Sequence, residues 1–195
     1  DPWLWGLLPD NEAILARWAQ RFQVSPRNAF ALIGAVGEDC AGAIQLATPE
    51  RVPTLMEAGQ GSVAWLSSSD IAERLALLRK DQSAWRVARD TGQFSLAGAQ
   101  PKTALLFDGA RWGVPSGRMA TTHILKPPID AFDGHAENEH LCLALAHALG
   151  FPAARSRVMR FDDEVAIVVE RYDRLRDPEG IRRLHQEDLC QALGL

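Results

Sequence analysis

The stretch Phe94-Ser95-Leu96-Ala97-Gly98-Ala99-Gln100-Pro101-Lys102 gathers residue types that can hold an anion. Ala97, Gly98 and Ala99 carry almost no side chain, so their backbone can approach a bulky group and turn successive N–H groups toward phosphate oxygens. Ser95 and Gln100 add polar side chains, and Lys102 adds a positive charge. The same composition suits a plain surface loop between two strands, because short glycine signals are weak. A second lysine, Lys126, closes the run His123-Ile124-Leu125. It is either a solvated strand end or a second phosphate ligand. Glu137 and Glu139 follow in the first turn of a predicted helix, where acidic side chains favour the positive helix end whatever else they do. Farther on, the apolar run Val165–Val169 gives way to Glu170-Arg171-Tyr172-Asp173, which on its own reads as a strand end with an Asp turn.

The elements that must position these residues are legible from periodicity. Phe94–Leu96 and Ala104–Phe107 read as strands on either side of the loop, and Asp108-Gly109 turns the chain into Arg111–Val114. Thr122–Lys126 is a β-type run stopped by Pro127-Pro128. Leu141, Leu145, Ala148 and Leu149 mark the apolar side of the next helix, which Gly150 and Pro152 terminate. Arg155–Met159 alternates, while Val165–Val169 is apolar throughout, the pattern of a strand covered on both faces. Arg174–Arg183 reads as a charged loop, with a helix beginning near Gln186.

Upstream, Asp10 is placed to cap a helix carrying Ile14, Leu15, Trp18 and Phe22. Ser25-Pro26 is placed to start a second, with Phe30, Leu32 and Ile33 inward. Asp70 and Glu73 have capping-box spacing before Ile71, Leu75 and Leu78, with Asp70 in the cap slot. Asp39–Leu46 is a glycine-containing apolar piece, ending in a short strand, in which no chemistry is evident. Ser83–Gln93 reads as a connection, with a boundary between residues 80 and 92. The expected organisation is a helical subdomain over residues 1–90 and a sheet-bearing lobe over 91–195.

A chain of 195 residues with 47% hydrophobic residues can bury a real core. Its net charge of −4 gives no broad basic patch for non-specific nucleic-acid binding. Cys40, Cys142 and Cys190 are odd in number and widely spaced, which suits reduced thiols and a cytoplasmic location. No apolar run approaches membrane-spanning length, and the first residues lack a basic-then-apolar leader.

The loop Phe94–Lys102 resembles that of the HipA family, bacterial serine/threonine kinases that act as toxins in HipA–HipB toxin–antitoxin pairs. The resemblance continues, in family order, through Thr121-Thr122-His123-Ile124-Leu125-Lys126, Asn138-Glu139-His140-Leu141-Cys142-Leu143, Val169-Glu170-Arg171-Tyr172-Asp173-Arg174 and Gln186-Glu187-Asp188-Leu189-Cys190-Gln191. Leu7-Leu8-Pro9-Asp10-Asn11-Glu12 fits near the start. It implies an α+β fold, a protein-kinase-like N-lobe of antiparallel sheet and helix preceded by a helical subdomain. It further implies a parent protein that transfers the ATP γ-phosphoryl, with Mg2+, to a protein serine or threonine. An aminoacyl-tRNA synthetase is the target class the family suggests. The implied partner is a HipB-like helix-turn-helix antitoxin, through which any contact with DNA is indirect.

By position, the resemblance makes Ala97, Gly98, Ala99, Gln100, Pro101 and Lys102 the phosphate loop. Lys126 becomes the ligand of the α/β-phosphates and Glu139 its expected partner. Glu170, Arg171, Tyr172 and Asp173 become the hinge, where the Glu170 and Tyr172 backbone would meet adenine and Asp173 the ribose. Ser95 matches the family's autophosphorylated serine, whose modification expels the loop. Two departures stand out: Pro101 removes one N–H donor from the loop, and Tyr172 replaces a phenylalanine.

Asp133-Gly134-His135-Ala136-Glu137-Asn138 has the D-x-x-x-x-N spacing of a kinase catalytic loop. It precedes the hinge strand instead of following it, so it reads as a turn into a helix. His140, Cys142 and His147 lack zinc-site spacing, and Ser95 lacks a histidine base at any motif spacing. The catalytic and metal-binding residues of the family's C-terminal lobe are therefore expected outside this chain, as is a β-rich subdomain before Leu7. The alternative is a non-catalytic regulatory module that docks the antitoxin. A weaker one is a nucleotide-binding metabolic enzyme.

Overall fold

The computed structural model describes residues 2–57, 61–81, 94–129, 132–178 and 180–195. The connection expected at Ser83–Gln93 lies outside them. Helices α1 (Pro2–Trp5), α2 (Glu12–Phe22) and α3 (Ala29–Val36) come first, then a short α4 (Val52–Met56). Strand β1 (Val63–Leu66) and helix α5 (Ser68–Lys80) follow, then β2 (Thr103–Phe107), β3 (Trp112–Pro115), β4 (His123–Lys126) and α6 (His135–Ala148). The chain ends with β5 (Ser156–Phe161), β6 (Glu164–Glu170), the hairpin β7 (Arg174–Asp177) and β8 (Gly180–Arg183), and α7 (Leu189–Leu193). Six strands form one antiparallel sheet in the order β1-β3-β2-β4-β6-β5, and β7-β8 pair separately. This is the α+β fold with the antiparallel sheet and helix of a kinase-like N-lobe.

Alternation along the strands sorts side chains between two cores. Leu105, Leu125, Ala166 and Val168 face one side, where Ile71 and Leu75 of α5 cover them. Ala104 and Ile124 face the other, against Leu96 and the N-terminal helices. The central run Ala166–Val168 is buried because both faces are covered. Although residue 90 separates them from β2 in sequence, β1 is an edge strand of the sheet and α5 packs on β6 and β5.

Local signals moved several boundaries. Asn11, one residue beyond Asp10, caps α2, accepting from the Ala13 N–H at 2.9 Å. Asn28 caps α3, so Ser25-Pro26 belongs to the turn before it, and Phe30 points outward at 72% exposure. Ser67 fills the cap slot of α5, with Asp70 as its capping-box partner. The expected strand at Phe94–Leu96 reduces to one bridge, Phe94 with Asp39, and the short strand expected at the end of Asp39–Leu46 does not form. The expected loop Arg174–Arg183 is the β7–β8 hairpin. Gly134, at φ +64°, turns the chain into α6, so Asp133–Asn138 is the helix entry. The stripe Leu141, Leu145 and Leu149 on α6 does not pack on the sheet; these side chains are 65, 56 and 67% exposed. Polar contacts set the helix's orientation instead: Glu139 to Lys126, and His140 to Ser156 at 2.9 Å.

Candidate functional site

The loop before β2 is tied down at both ends. The Ser95 N–H donates to the Asp39 carbonyl at 3.2 Å, and its buried hydroxyl donates to the Leu7 carbonyl at 2.7 Å. At the other end Lys102 turns back, its ammonium donating to the Ala97 carbonyl at 2.8 Å. Gly98 sits between at φ +98°, and a Cβ there would lie 2.9 Å from Lys102 Nζ. The backbone angle calls for glycine, whereas the ammonium is the movable end of a flexible side chain. Pro101, for all its missing N–H, is accommodated as a buried residue just before β2.

Burial, and then the nearby Lys126 ammonium, pull Lys102 down from its ordinary 10.5 to about 8, against Asp10 and Glu139. Lys126, at the end of β4, donates to Glu139 at 2.6 Å, and both side chains keep partial access to solvent. Glu139, not Glu137, is thus the acidic residue that meets it. Lys102 and Lys126 thus lie close together, with Glu139 and Asp10 as the neighbouring carboxylates.

Ala97–Gln100, Lys102, Lys126, Val169 and Glu170–Asp173 line one cavity of about 410 Å³. Gln100 Nε2 is buried beside it without a hydrogen-bond partner among the described residues. A second cavity, of about 500 Å³, opens on the opposite face of the sheet beside Arg155, Arg157, Arg176 and His123. Of the predicted residues only Glu170 and Arg171 border it.

At the hinge, backbone and side chains divide the work. The Glu170 N–H is taken by the Arg155 carbonyl at 2.8 Å and the Arg171 N–H by the Thr122 carbonyl at 2.9 Å. The Tyr172 N–H meets no backbone carbonyl among the described residues. The Tyr172 ring is 69% exposed, and its hydroxyl donates to Gln186.

Arg171 and Asp173 line the cavity, and their side chains are also bonded within the protein. The Arg171 guanidinium is buried and bonds Asp173, Thr121 and the Cys40 carbonyl. The carboxylate of Asp173, for which a ribose contact is expected, is buried and accepts from Arg171 at 2.8 Å and the Gly42 N–H at 2.7 Å, with Arg174 at 2.9 Å. Burial pushes its carboxyl up, but Arg171 and Arg174 outweigh that and hold it below its ordinary value.

Asp39 is the residue that sequence reasoning missed. It accepts from the Thr121 N–H at 3.0 Å and hydroxyl at 2.6 Å, from Arg174 at 2.8 Å and from Arg183 at 3.1 Å, with Arg171 at 3.4 Å. These partners lie 82 to 144 residues away in sequence, so no local spacing could announce them. The available signal was weak: an acidic residue among small and apolar neighbours, with arginines clustered after the hinge.

The residues fit a nucleotide triphosphate. The cationic corner, the glycine cradle and the orphaned Gln100 amide suit phosphate oxygens, and the hinge N–H suits a heterocycle edge. Magnesium is a different case. Among the described residues no three His, Cys, Asp or Glu side chains converge to hold a metal, so they offer it no protein ligand set of their own. Among the described residues no helix is long and apolar enough to cross a membrane.

Residues 94–195 match the HipA-like C-terminal domain, and residues 1–47 match the HipA N-terminal domain. The chain is 41% identical over 196 residues to the putative kinase Y4mE of Sinorhizobium fredii, covering 100% of this chain and 46% of that protein. It is 32% identical over 192 residues to the serine/threonine-protein kinase toxin HipA of Shewanella oneidensis, covering 96% of this chain and 42% of the toxin. The solved complex of Shewanella oneidensis HipA, HipB and operator DNA superimposes with a TM-score of 0.76 at 32% identity, covering 100% of this chain and 44% of that one. The chain thus spans less than half the length of these relatives. With its C-terminal half matched by the family's C-terminal domain and its first helices by the N-terminal domain, the chain belongs to the HipA family.

Proposed function

We propose that this chain is the nucleotide-binding lobe of a kinase that transfers the γ-phosphoryl group of ATP to a serine or threonine on a protein. The observation that carries the reading is the convergence of the Ala97–Lys102 loop, Lys126, itself held by Glu139, and the hinge on one cavity of about 410 Å³. ATP, when bound, supplies the phosphoryl group and its leaving group, and Mg2+ accompanies its phosphates. The chain's own residues do the holding. Lys102 and Lys126 offset phosphate charge, the loop N–H groups and the Gln100 amide point donors at its oxygens, and Glu139 fixes the direction of Lys126. Tyr172 offers a backbone N–H, and Glu170 its backbone, to the adenine edge.

Two finer readings follow from kinship. Ser95 is the autophosphorylation site; its hydroxyl is buried against the Leu7 carbonyl, so the loop must leave its seat before that oxygen can accept a phosphoryl group. The relatives' names, a kinase toxin HipA and a complex of HipA with HipB and operator DNA, support a toxin with a HipB-like partner. The helix-turn-helix character of that antitoxin, DNA contact through it, and an aminoacyl-tRNA synthetase as protein substrate are what the family resemblance adds.

The test is intact-mass measurement and phosphosite mapping of the full-length parent after incubation with ATP and Mg2+, beside its Lys126→Ala variant. The expected outcome is phosphate on Ser95 in the parent, and transfer reduced at least about a hundredfold in the variant. Undiminished transfer in Lys126→Ala would remove the lysine from the site. No phosphate on either protein would favour a binding module without kinase activity.

A further inference from the structure

We infer that Asp39, a residue of the N-terminal helical layer outside the nucleotide cavity, is a positioning residue that sets the hinge in register with the phosphate loop. The inference rests on the nucleotide-site reading above. Asp39 is 5% exposed and contacts the site's three components by separate routes. Its backbone holds the loop: it bridges Phe94, and its carbonyl accepts from the Ser95 N–H, two residues before Ala97. Its carboxylate holds the lead into β4 through both the N–H and the hydroxyl of Thr121. β4 carries Lys126 at its far end. The same carboxylate meets Arg171 and Arg174, which flank the hinge residues Tyr172 and Asp173.

The neighbouring residues extend the clamp. The Cys40 carbonyl accepts from Arg171 at 2.7 Å and from Arg174 at 2.9 Å, and the Gly42 N–H donates to Asp173 at 2.7 Å. Arg183 adds the β8 strand of the hairpin that leaves the hinge. Burial favours a protonated Asp39, but Arg171, Arg174, Arg183 and the Thr121 hydroxyl together keep it ionised. A fixed charge with this many directed bonds leaves little freedom between hinge and loop.

This geometry has a consequence that general destabilisation does not share. A ligand that binds hinge and loop together gains from their correct separation, whereas a ligand that touches only one is indifferent to it. Asp39→Asn keeps the size and an acceptor for Thr121 but removes the charge that aligns the arginines. In the full-length protein, Asp39→Asn should weaken ATP about tenfold or more, while adenosine and inorganic tripolyphosphate, measured separately by competition, each change by less than about threefold. The KM for ATP should rise with little change in kcat at saturation. Arg183→Gln, at the more exposed arm of the network, should show the same pattern more weakly and serves if Asp39→Asn does not fold.

Equal weakening of all three ligands, loss confined to adenosine or to tripolyphosphate, or unchanged ATP affinity in folded Asp39→Asn would each overturn the inference. The parent and Lys126→Ala proteins separate that failure from failure of the site itself. If the parent does not bind ATP, or Lys126→Ala binds it undiminished, the nucleotide-site reading falls and takes the role of Asp39 with it.

Discussion

The chain carries two clusters of paired charges, and they differ in where those charges face. Around Asp39, three arginines and two aspartates are largely buried and bonded to one another and to backbone carbonyls. Around Lys126, the ion pair with Glu139 and the neighbouring Lys102 lie at an open cavity, and Lys102 is pulled well below its ordinary pKa. The first cluster bonds inward and holds elements together. The second borders space in which an anion would meet both ammonium groups. Charge bonded inward makes scaffold, and charge bordering a cavity makes a site.

Deleting one cation from each cluster should separate them most sharply. Arg171→Met removes the buried cation shared by Asp39 and Asp173 and should destabilise the full-length protein by about 3–5 kcal/mol in urea unfolding. Lys126→Met, at a partly solvated pair, should cost less than about 1 kcal/mol in the same measurement while removing phosphoryl transfer. Similar stability losses in the two variants would erase the distinction between scaffold and site.

Lys102 offers a smaller effect of opposite sign. Because its folded pKa is depressed to about 8, the unfolded chain binds more protons between there and 10.5, so stability rises with pH across that window. Lys102→Met removes the buried charge at the expense of the hydrogen bond to Ala97. It should therefore stabilise the protein by about 1–3 kcal/mol below pH 8, and the gain should disappear above about 10.5, where the lysine is neutral in both states. Nucleotide affinity should fall over the same range. A variant less stable than the parent at pH 7 would mean that the ammonium is already compensated within the loop.

The same contrast explains what the sequence disclosed. The cavity-side cluster is built from local runs: Ala97–Lys102 is continuous, and Lys126 and Glu139 lie 13 residues apart, on a strand and the helix after it. The run Val165–Val169 announced itself because a strand covered on both faces has no polar positions. Asp39 announced nothing, since a closed network is assembled from residues distant in the chain and its types are ordinary surface types. Charge also hid the β7–β8 hairpin, where Leu175 pairs with Arg182 and Ile181 with Arg176, so no apolar residue faces another across the ladder. Strand β1 is only four residues long, too short for alternation to show. On α6 the apolar stripe was visible and its burial was not, because periodicity finds a helix face without naming what lies opposite.

Ser95 stands where the two clusters meet, with its N–H on the Asp39 carbonyl and its side chain beneath the loop that leads to Lys102. Ser95→Ala removes only the hydroxyl bond to the Leu7 carbonyl, a cost of about 1 kcal/mol, and leaves the backbone bridge at Asp39 in place. The loop should therefore keep its seat. ATP affinity should stay within about threefold of the parent, and the first round of transfer to substrate should proceed while self-silencing over prolonged incubation is lost. If affinity falls together with the first round, the hydroxyl helps hold the loop against the nucleotide, and Ser95 belongs to the site itself and not only to its control.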